Sequence, residues 1–275
     1  MISSLSAGSV AGAGMKARAA RGDEDRIIEV EHLVAGYGDN VILDDVSCSV
    51  SRGEVFVIVG GSGCGKTTLM KCIIGLLQPT EGRILINGHD VTHATEDEWQ
   101  RIQRKIGVSF QSGALFGSLT LGENVALPLE EYTTLPPETI DLLVRIKLSM
   151  VKLDGFEAYQ IAELSGGMKK RAALARAIAL DPDILFFDEP SAGLDPITSA
   201  ELDELILQVN RSLGTTTVVV SHELPSIFRI ADRVIMLDGE AKGIIAEGKP
   251  LELREQSPDA RVRAFFNRKP RTQRS

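Results

Sequence analysis

Apolar and polar residues alternate over 27–37, IIEVEHLVAGY, as they do in a strand with one covered face. A second strand, 41–50, follows the turn at Gly38, Asp39 and Asn40. Residues 55–59 are continuously apolar, which predicts a strand covered on both faces in a parallel sheet. Leu69, Met70, Ile73, Ile74 and Leu77 then recur at helical spacing, predicting a helix over 67–77 that Pro79 and Gly82 end. Further strands are expected at 83–87, 106–110, 184–187, 216–220 and 233–237, with helices at 168–179 and 199–213 between the later ones. That is the βαβ alternation of a sheet with helices on its faces. Residues 112–164 are mostly helical in pattern, clearest at 141–150, and form a separate helical subdomain. The chain has no internal repeat.

Composition narrows the class. With 43% hydrophobic and 25% charged residues, 275 residues bury a substantial core. The formal net charge of -8 argues against broad binding to nucleic acid, which needs a basic surface to displace counterions. No window approaches 18 uninterrupted apolar residues, so a cytoplasmic protein that meets a bilayer only through partners is expected. The Ser-, Ala- and Gly-rich start makes a poor signal peptide. It reads as a flexible tail, with Met15 an alternative start. Cys48, Cys64 and Cys72 lack metal-ligand spacing and are expected as reduced thiols. The end, 261–275, carries six basic and no acidic residues. It reads as a solvated end, with docking on a neighbouring subunit or on anionic headgroups as the alternative.

The chemistry begins at residues 60–68, Gly60, Gly61, Ser62, Gly63, Cys64, Gly65, Lys66, Thr67 and Thr68, which fit G-x-x-x-x-G-K-[ST] between a buried strand and a helix. Gly61, Gly63 and Gly65 let successive N–H groups turn toward phosphate oxygens at the positive end of the helix. Lys66 would neutralise the β- and γ-phosphates, and Thr67 would give a hydroxyl to Mg²⁺. A glycine turn without ligand is the competing reading, and the flanking elements weigh against it. Cys64, at a helix N-terminus, is expected to favour the thiolate, and its alkylation to block ATP binding by bulk. The apolar strand 184–187 ends in Asp188, assigned to the Mg²⁺ shell, and Glu189, assigned as the general base that polarises water.

Leu164-Ser165-Gly166-Gly167-Met168 resembles the signature sequence of ABC ATPases. The resemblance covers roughly 27–250 and implies a P-loop NTPase (RecA-like) α/β core with an antiparallel β subdomain and an inserted α-helical subdomain. It also implies that Ser165, Gly166 and Gly167 meet the γ-phosphate held by a second copy, so that the working unit is a homodimer binding ATP and Mg²⁺. By the same resemblance, Tyr37 stacks on adenine, Gln111 senses Mg²⁺ and the γ-phosphate, Asp195 reaches across the dimer and His222 contacts the γ-phosphate. The implied layout is an N-terminal tail over 1–25, an ATPase domain over 26–250 with its helical subdomain at about 112–165, and a basic C-terminal tail over 251–275.

Gln111-Ser112-Gly113-Ala114-Leu115-Phe116, Met168-Lys169-Lys170-Arg171 and the run from Pro258 to Phe265 are similar to the Mla-type phospholipid transporter ATPases. That resemblance implies an integral-membrane permease, an MCE-domain lipid-binding protein and, in some members, a STAS-domain subunit. It places the chain at the cytoplasmic face of the inner membrane, held there by the permease and maintaining outer-membrane lipid asymmetry. The short tail and the Gly-Leu-Asp of the 193–195 segment depart from the best-known members. ATPases of amino-acid import or lipoprotein release are the rival transport readings. DNA-repair and translation ABC proteins need long insertions or a second ATPase unit, and an inactive scaffold would lack the site residues found here.

Overall fold

Residues 25–268 are described by the computed structural model. Residues 1–24, with Met15, and the basic residues from 269 onward lie outside that range. The strands β1 (Arg26–Tyr37) and β2 (Asn40–Ser51) form an antiparallel hairpin. β4 (Glu81–Ile86) and the short β5 (His89–Asp90) extend it into a four-stranded sheet of order β2-β1-β4-β5. The second sheet holds β3 (Val55–Gly60), β6 (Ile106–Ser109), β7 (Ile184–Asp188), β8 (Thr216–Val220), β9 (Arg233–Asp238) and β10 (Gly243–Gly248). Its order is β10-β9-β3-β8-β7-β6, parallel except for β10.

Side chains alternate across a strand, so the fully buried β3 divides two cores. Val55, Val57 and Val59 face one of them, together with the helices α3 (Leu121–Tyr132), α4 (Pro137–Met150), α5 (Gly166–Ala177), α6 (Pro196–Leu213) and α7 (Leu224–Ile230). Phe56 and Ile58 face the other, with α1 (Lys66–Ile73), β1 and β2. β3, the apolar run that opens β7 and the β-branched β8 are buried at every position, as a sheet covered on both faces requires. The helical subdomain is α3 and α4, and Lys147 of α4, 3% exposed, ties it through Asp181 to the turn between α5 and β7. Among the described residues no helix is long and apolar enough to cross a membrane.

Several expectations shift. α1 ends at Ile73 rather than 77, because Gly75 takes a φ of +74° and packs on Trp99, and both Leu76 and Leu77 N–H groups turn back to the Lys71 carbonyl. Trp99 belongs to α2 (Glu96–Gln103), an element absent from the sequence reading. Its signal was the Thr95–Glu98 capping box, in which each partner bonds the other's backbone N–H. α5 and α6 begin two and three residues early because Ser165 and Asp195 cap them.

The largest correction concerns the C-terminal end. Within 251–275, α8 (Pro250–Gln256) and α9 (Ala260–Phe266) fold against the protein body, with Val262 and Phe266 buried in the first core. Arg261 donates to the fully buried Asp238 at 2.9 Å, and Arg263 to the Ser257 and Pro258 carbonyls. The run was read by its charge, whereas the i, i+4 pair Val262 and Phe266 decides its fate.

Candidate functional site

β3 delivers the chain into the glycine loop and α1 carries it away. Gly60 has a φ of +149°, and a Cβ there would lie 2.4 Å from the Leu237 oxygen and 2.5 Å from Cys64 Sγ, so only glycine fits. Gly65 caps α1 at a φ of +101°, where a Cβ would strike Leu43 at 2.5 Å. No side chain caps α1 and no acidic residue stands in its first turn, which leaves its positive end to an anion. Lys66, 9% exposed, donates to the Gly60 and Gly61 carbonyls at 3.1 and 2.9 Å, holding its ammonium inside the curve of the loop.

β7 brings the carboxylates to the same place. Thr67 Oγ1 donates to Asp188 Oδ1 at 3.3 Å, and burial pushes the Asp188 carboxyl upward from its ordinary range. Glu189 takes a left-handed backbone, φ +49°, with its N–H on the Val220 carbonyl at 2.9 Å. That conformation is held by its surroundings rather than by the preference of a glutamate. Its Oε1 accepts from His222 Nδ1 at 2.7 Å, and its Oε2 is buried without a partner. Carboxylate oxygens normally find a donor when buried. An orphaned one beside the loop is what a bound water would satisfy.

The residues assigned to ATP fit that group, since the loop offers backbone, ammonium and an uncapped helix end. They also fit Mg²⁺, because the Thr67 hydroxyl and the Asp188 carboxylate are hard oxygen donors. Among the described residues no cluster of three His, Cys, Asp or Glu could hold a metal.

Lys66, Thr67, Asp188, Glu189 and His222 thus converge. Tyr37 ends β1 half-exposed near α1, with Lys71 Nζ 5.9 Å from its ring centre. Gln111 follows β6, exposed. Ser165 and Gly166 are also exposed, and the contacts of that helix tip run elsewhere: Ser165 Oγ accepts from Met168 N–H at 3.2 Å, and a Cβ on Gly167 would meet Thr198 at 2.7 Å. Asp195 caps α6, Oδ1 accepting from the Ile197 and Thr198 N–H groups and Oδ2 from the Thr198 hydroxyl, which holds its carboxyl below the usual range.

Cys64 corrects the sequence reading. It is 3% exposed, and burial raises its thiol above the ordinary value, outweighing the opposing pull of Lys66, so the thiolate is disfavoured. Burial likewise pushes Cys72 up to about 11.

Two basic residues escaped the sequence reading as parts of the site. Lys170 Nζ donates to the Gln111 carbonyl and, at 3.5 Å, to that of Glu189. Arg176 donates to the Gly113 and Ala114 carbonyls at 3.2 and 2.9 Å and stands over the Phe116 ring. Their positions i and i+6 on α5 were legible. That they turn inward to brace the 111–116 segment was not.

The family model described as ABC transporter matches residues 43–192. The intermembrane phospholipid transport system ATP-binding protein MlaF of Haemophilus influenzae is 44% identical over 87% of this chain and 90% of its own length. A probable ribonucleotide transport ATP-binding protein, mkl, of Mycobacterium leprae is 41% identical over 87% of this chain and 68% of its own. Among solved structures, the dimeric ATP-binding cassette MJ0796 in a post-hydrolysis state with ADP and phosphate superposes with a TM-score of 0.73. It is 31% identical and covers 81% of this chain and 98% of that one.

Proposed function

The chain belongs to the ABC transporter family as an ATP-binding, ATP-hydrolysing subunit; from that premise we propose that two copies close on two ATP molecules and drive a permease that moves phospholipid between membranes. The observation that carries the two-copy arrangement is the separation of the site into halves. Lys66, Thr67, Asp188, Glu189 and His222 meet, whereas at the other tip Ser165 and Gly166 are exposed, Ser165 caps its own helix and Gly167 abuts Thr198. A helix N-terminus with a serine and two glycines is suited to phosphate. Facing copies would bring each tip onto the γ-phosphate held by the other.

In this reading the glycine loop and Lys66 hold the phosphates and Tyr37 covers the base. Thr67, Asp188 and Gln111 would hold Mg²⁺, which supplies charge neutralisation to the phosphate oxygens. Glu189 Oε2 takes the proton of the attacking water, and His222, bonded to Oε1, fixes the carboxylate and reaches the γ-phosphate. Loss of that phosphate removes what the two copies share, so they part. Asp195 supports the arrangement by rigidifying the α6 end that the Ser165 tip packs against.

We assign the permease contact to the cleft beside β6. A groove of about 310 Å³ lies between β6, the end of α1 and α3, lined by Ile74, Leu76, Val108, Phe110, Pro128 and Tyr132, and Gln111 follows Phe110 in the chain. An inserted apolar segment there would feel movement of the helical subdomain against the sheet. The phospholipid cargo, the MCE-domain protein and the STAS-domain subunit rest on likeness to the MlaF relatives, as does a position at the cytoplasmic face of the inner membrane. The 41% relative named for ribonucleotide transport supplies the rival cargo. Purifying the chain from membranes of its own source in mild detergent tests this. An integral-membrane permease, an MCE-domain protein and extractable phospholipid are expected, and a complex without lipid that binds ribonucleotide contradicts the cargo assigned.

A further inference from the structure

Behind the Glu189–His222 pair runs a buried polar chain that the ATPase reading does not use. Ser191, two residues beyond Glu189, is 5% exposed, and its Oγ lies 3.4 Å from Ser226 Oγ, 3% exposed, on α7. Ser226 Oγ donates to Asp203 Oδ1 on α6, itself 1% exposed. Asp203 Oδ2 faces Arg229 Nη1 at 3.4 Å. The carboxylate gives the chain a direction. Asp203 only accepts, so the Ser226 proton points to it and the Ser226 oxygen is left to accept from the Ser191 hydroxyl.

The placement of this chain matters because of what it joins. Glu189 and His222 sit on two separate segments, one after β7 and one after β8. The first tether between those segments is the Glu189 N–H on the Val220 carbonyl, two residues before His222. The Ser191–Ser226 bond is the second, two residues after Glu189 and four after His222. The 2.7 Å contact between Glu189 and His222 therefore lies between two clamps. Glu189 holds a left-handed backbone and closes a turn through Ala192 N–H on its own carbonyl at 3.1 Å, a conformation that persists only when its surroundings fix it.

We propose that Ser226 and Asp203 are positioning residues for ATP hydrolysis, acting through Ser191 to fix the segment that carries Glu189 against the segment that carries His222. Neither touches nucleotide. The inference rests on the assignment of Glu189 and His222 proposed above. Removing the clamp leaves the glycine loop and Lys66 intact, so ATP binding is kept while the reacting geometry loosens, and small misplacements of a reacting group are costly to rate.

The test is steady-state ATPase kinetics on the full-length chain with the Ser226→Ala, Asp203→Ala and Asp203→Asn variants, beside Glu189→Gln, each assayed well below its melting temperature. Ser226→Ala and Asp203→Ala should each lower kcat about tenfold with KM for ATP within about twofold of the parent. Asp203→Asn keeps an oxygen that accepts from Ser226 while giving up the Arg229 contact, and should recover most of the kcat that Asp203→Ala loses. An unchanged kcat in Ser226→Ala overturns the proposal. So does an Asp203→Asn variant as slow as Asp203→Ala, or a parallel rise in KM, since either would indicate a general packing role. Glu189→Gln separates the levels: if it still turns over, the assignment of the base has failed, and if it alone is inactive while the Ser226 and Asp203 variants are normal, only the clamp has.

Discussion

Glu189→Gln should lower ATP turnover by about three orders of magnitude while leaving ATP binding intact, the scale expected when a general base is lost. The amide retains the shape of the side chain, and its oxygen still accepts from His222 Nδ1, as Oε1 does at 2.7 Å. What disappears is the proton affinity of Oε2, the buried oxygen that no protein group satisfies. Replacing the carboxylate by a neutral amide also eases repulsion toward the phosphates, so the bound nucleotide should persist. Turnover and nucleotide occupancy, measured on one preparation by phosphate release and equilibrium binding, check both halves. Normal turnover would remove Glu189 from the role of base.

Lys66→Ala should fail at the earlier step. Its ammonium is buried and bonded to the carbonyls of Gly60 and Gly61, so it both closes the loop and offers charge to the phosphates. Hydrogen bonds to charged groups contribute on the order of 1.5–3 kcal/mol each, and losing one such contact to phosphate raises Kd roughly 10- to 100-fold. The weakened loop adds to that. Titration with a fluorescent ATP analogue should show binding lost over the range that saturates the parent, with turnover falling in step. Retained binding would mean that the phosphates sit elsewhere. The two variants thus divide the site into a binding half and a chemical half on one chain.

The glycine loop and the strand ending in Asp188 and Glu189 were legible because they are local. A continuous apolar run, a helix period and a spaced motif lie within a few residues of one another, and β3 and β7 are buried at every position as that pattern requires. Thr67, Asp188 and Glu189 were joined from the motif and the carboxylates that end an apolar strand, whereas His222 entered through family resemblance, since nothing near residue 222 specifies a partner at 189. Elements stabilised by their caps or by long-range packing were less visible. α2 has no fully buried residue, its capping box setting its start and Trp99 and Ile102 leaning on the second core, while α9 hides two apolar anchors among arginines. Cys64 shows the opposite failure. Its place at a helix N-terminus was read correctly, but its burial was not in the sequence, and burial decides the sign. The chain of Ser191, Ser226 and Asp203 was silent for the same reason, because three common polar residues on three segments carry no pattern until the fold joins them.

Composite sites shared between two copies are the claim on which the account stands, and light-scattering mass measurement on Glu189→Gln, with and without MgATP, tests it most directly. With MgATP the variant should run at twice the chain mass, and adding Ser165→Arg should return it to the mass of one chain while ATP still binds the glycine loop. A single-chain mass for ATP-loaded Glu189→Gln, or a dimer indifferent to the arginine at that helix tip, would contradict it.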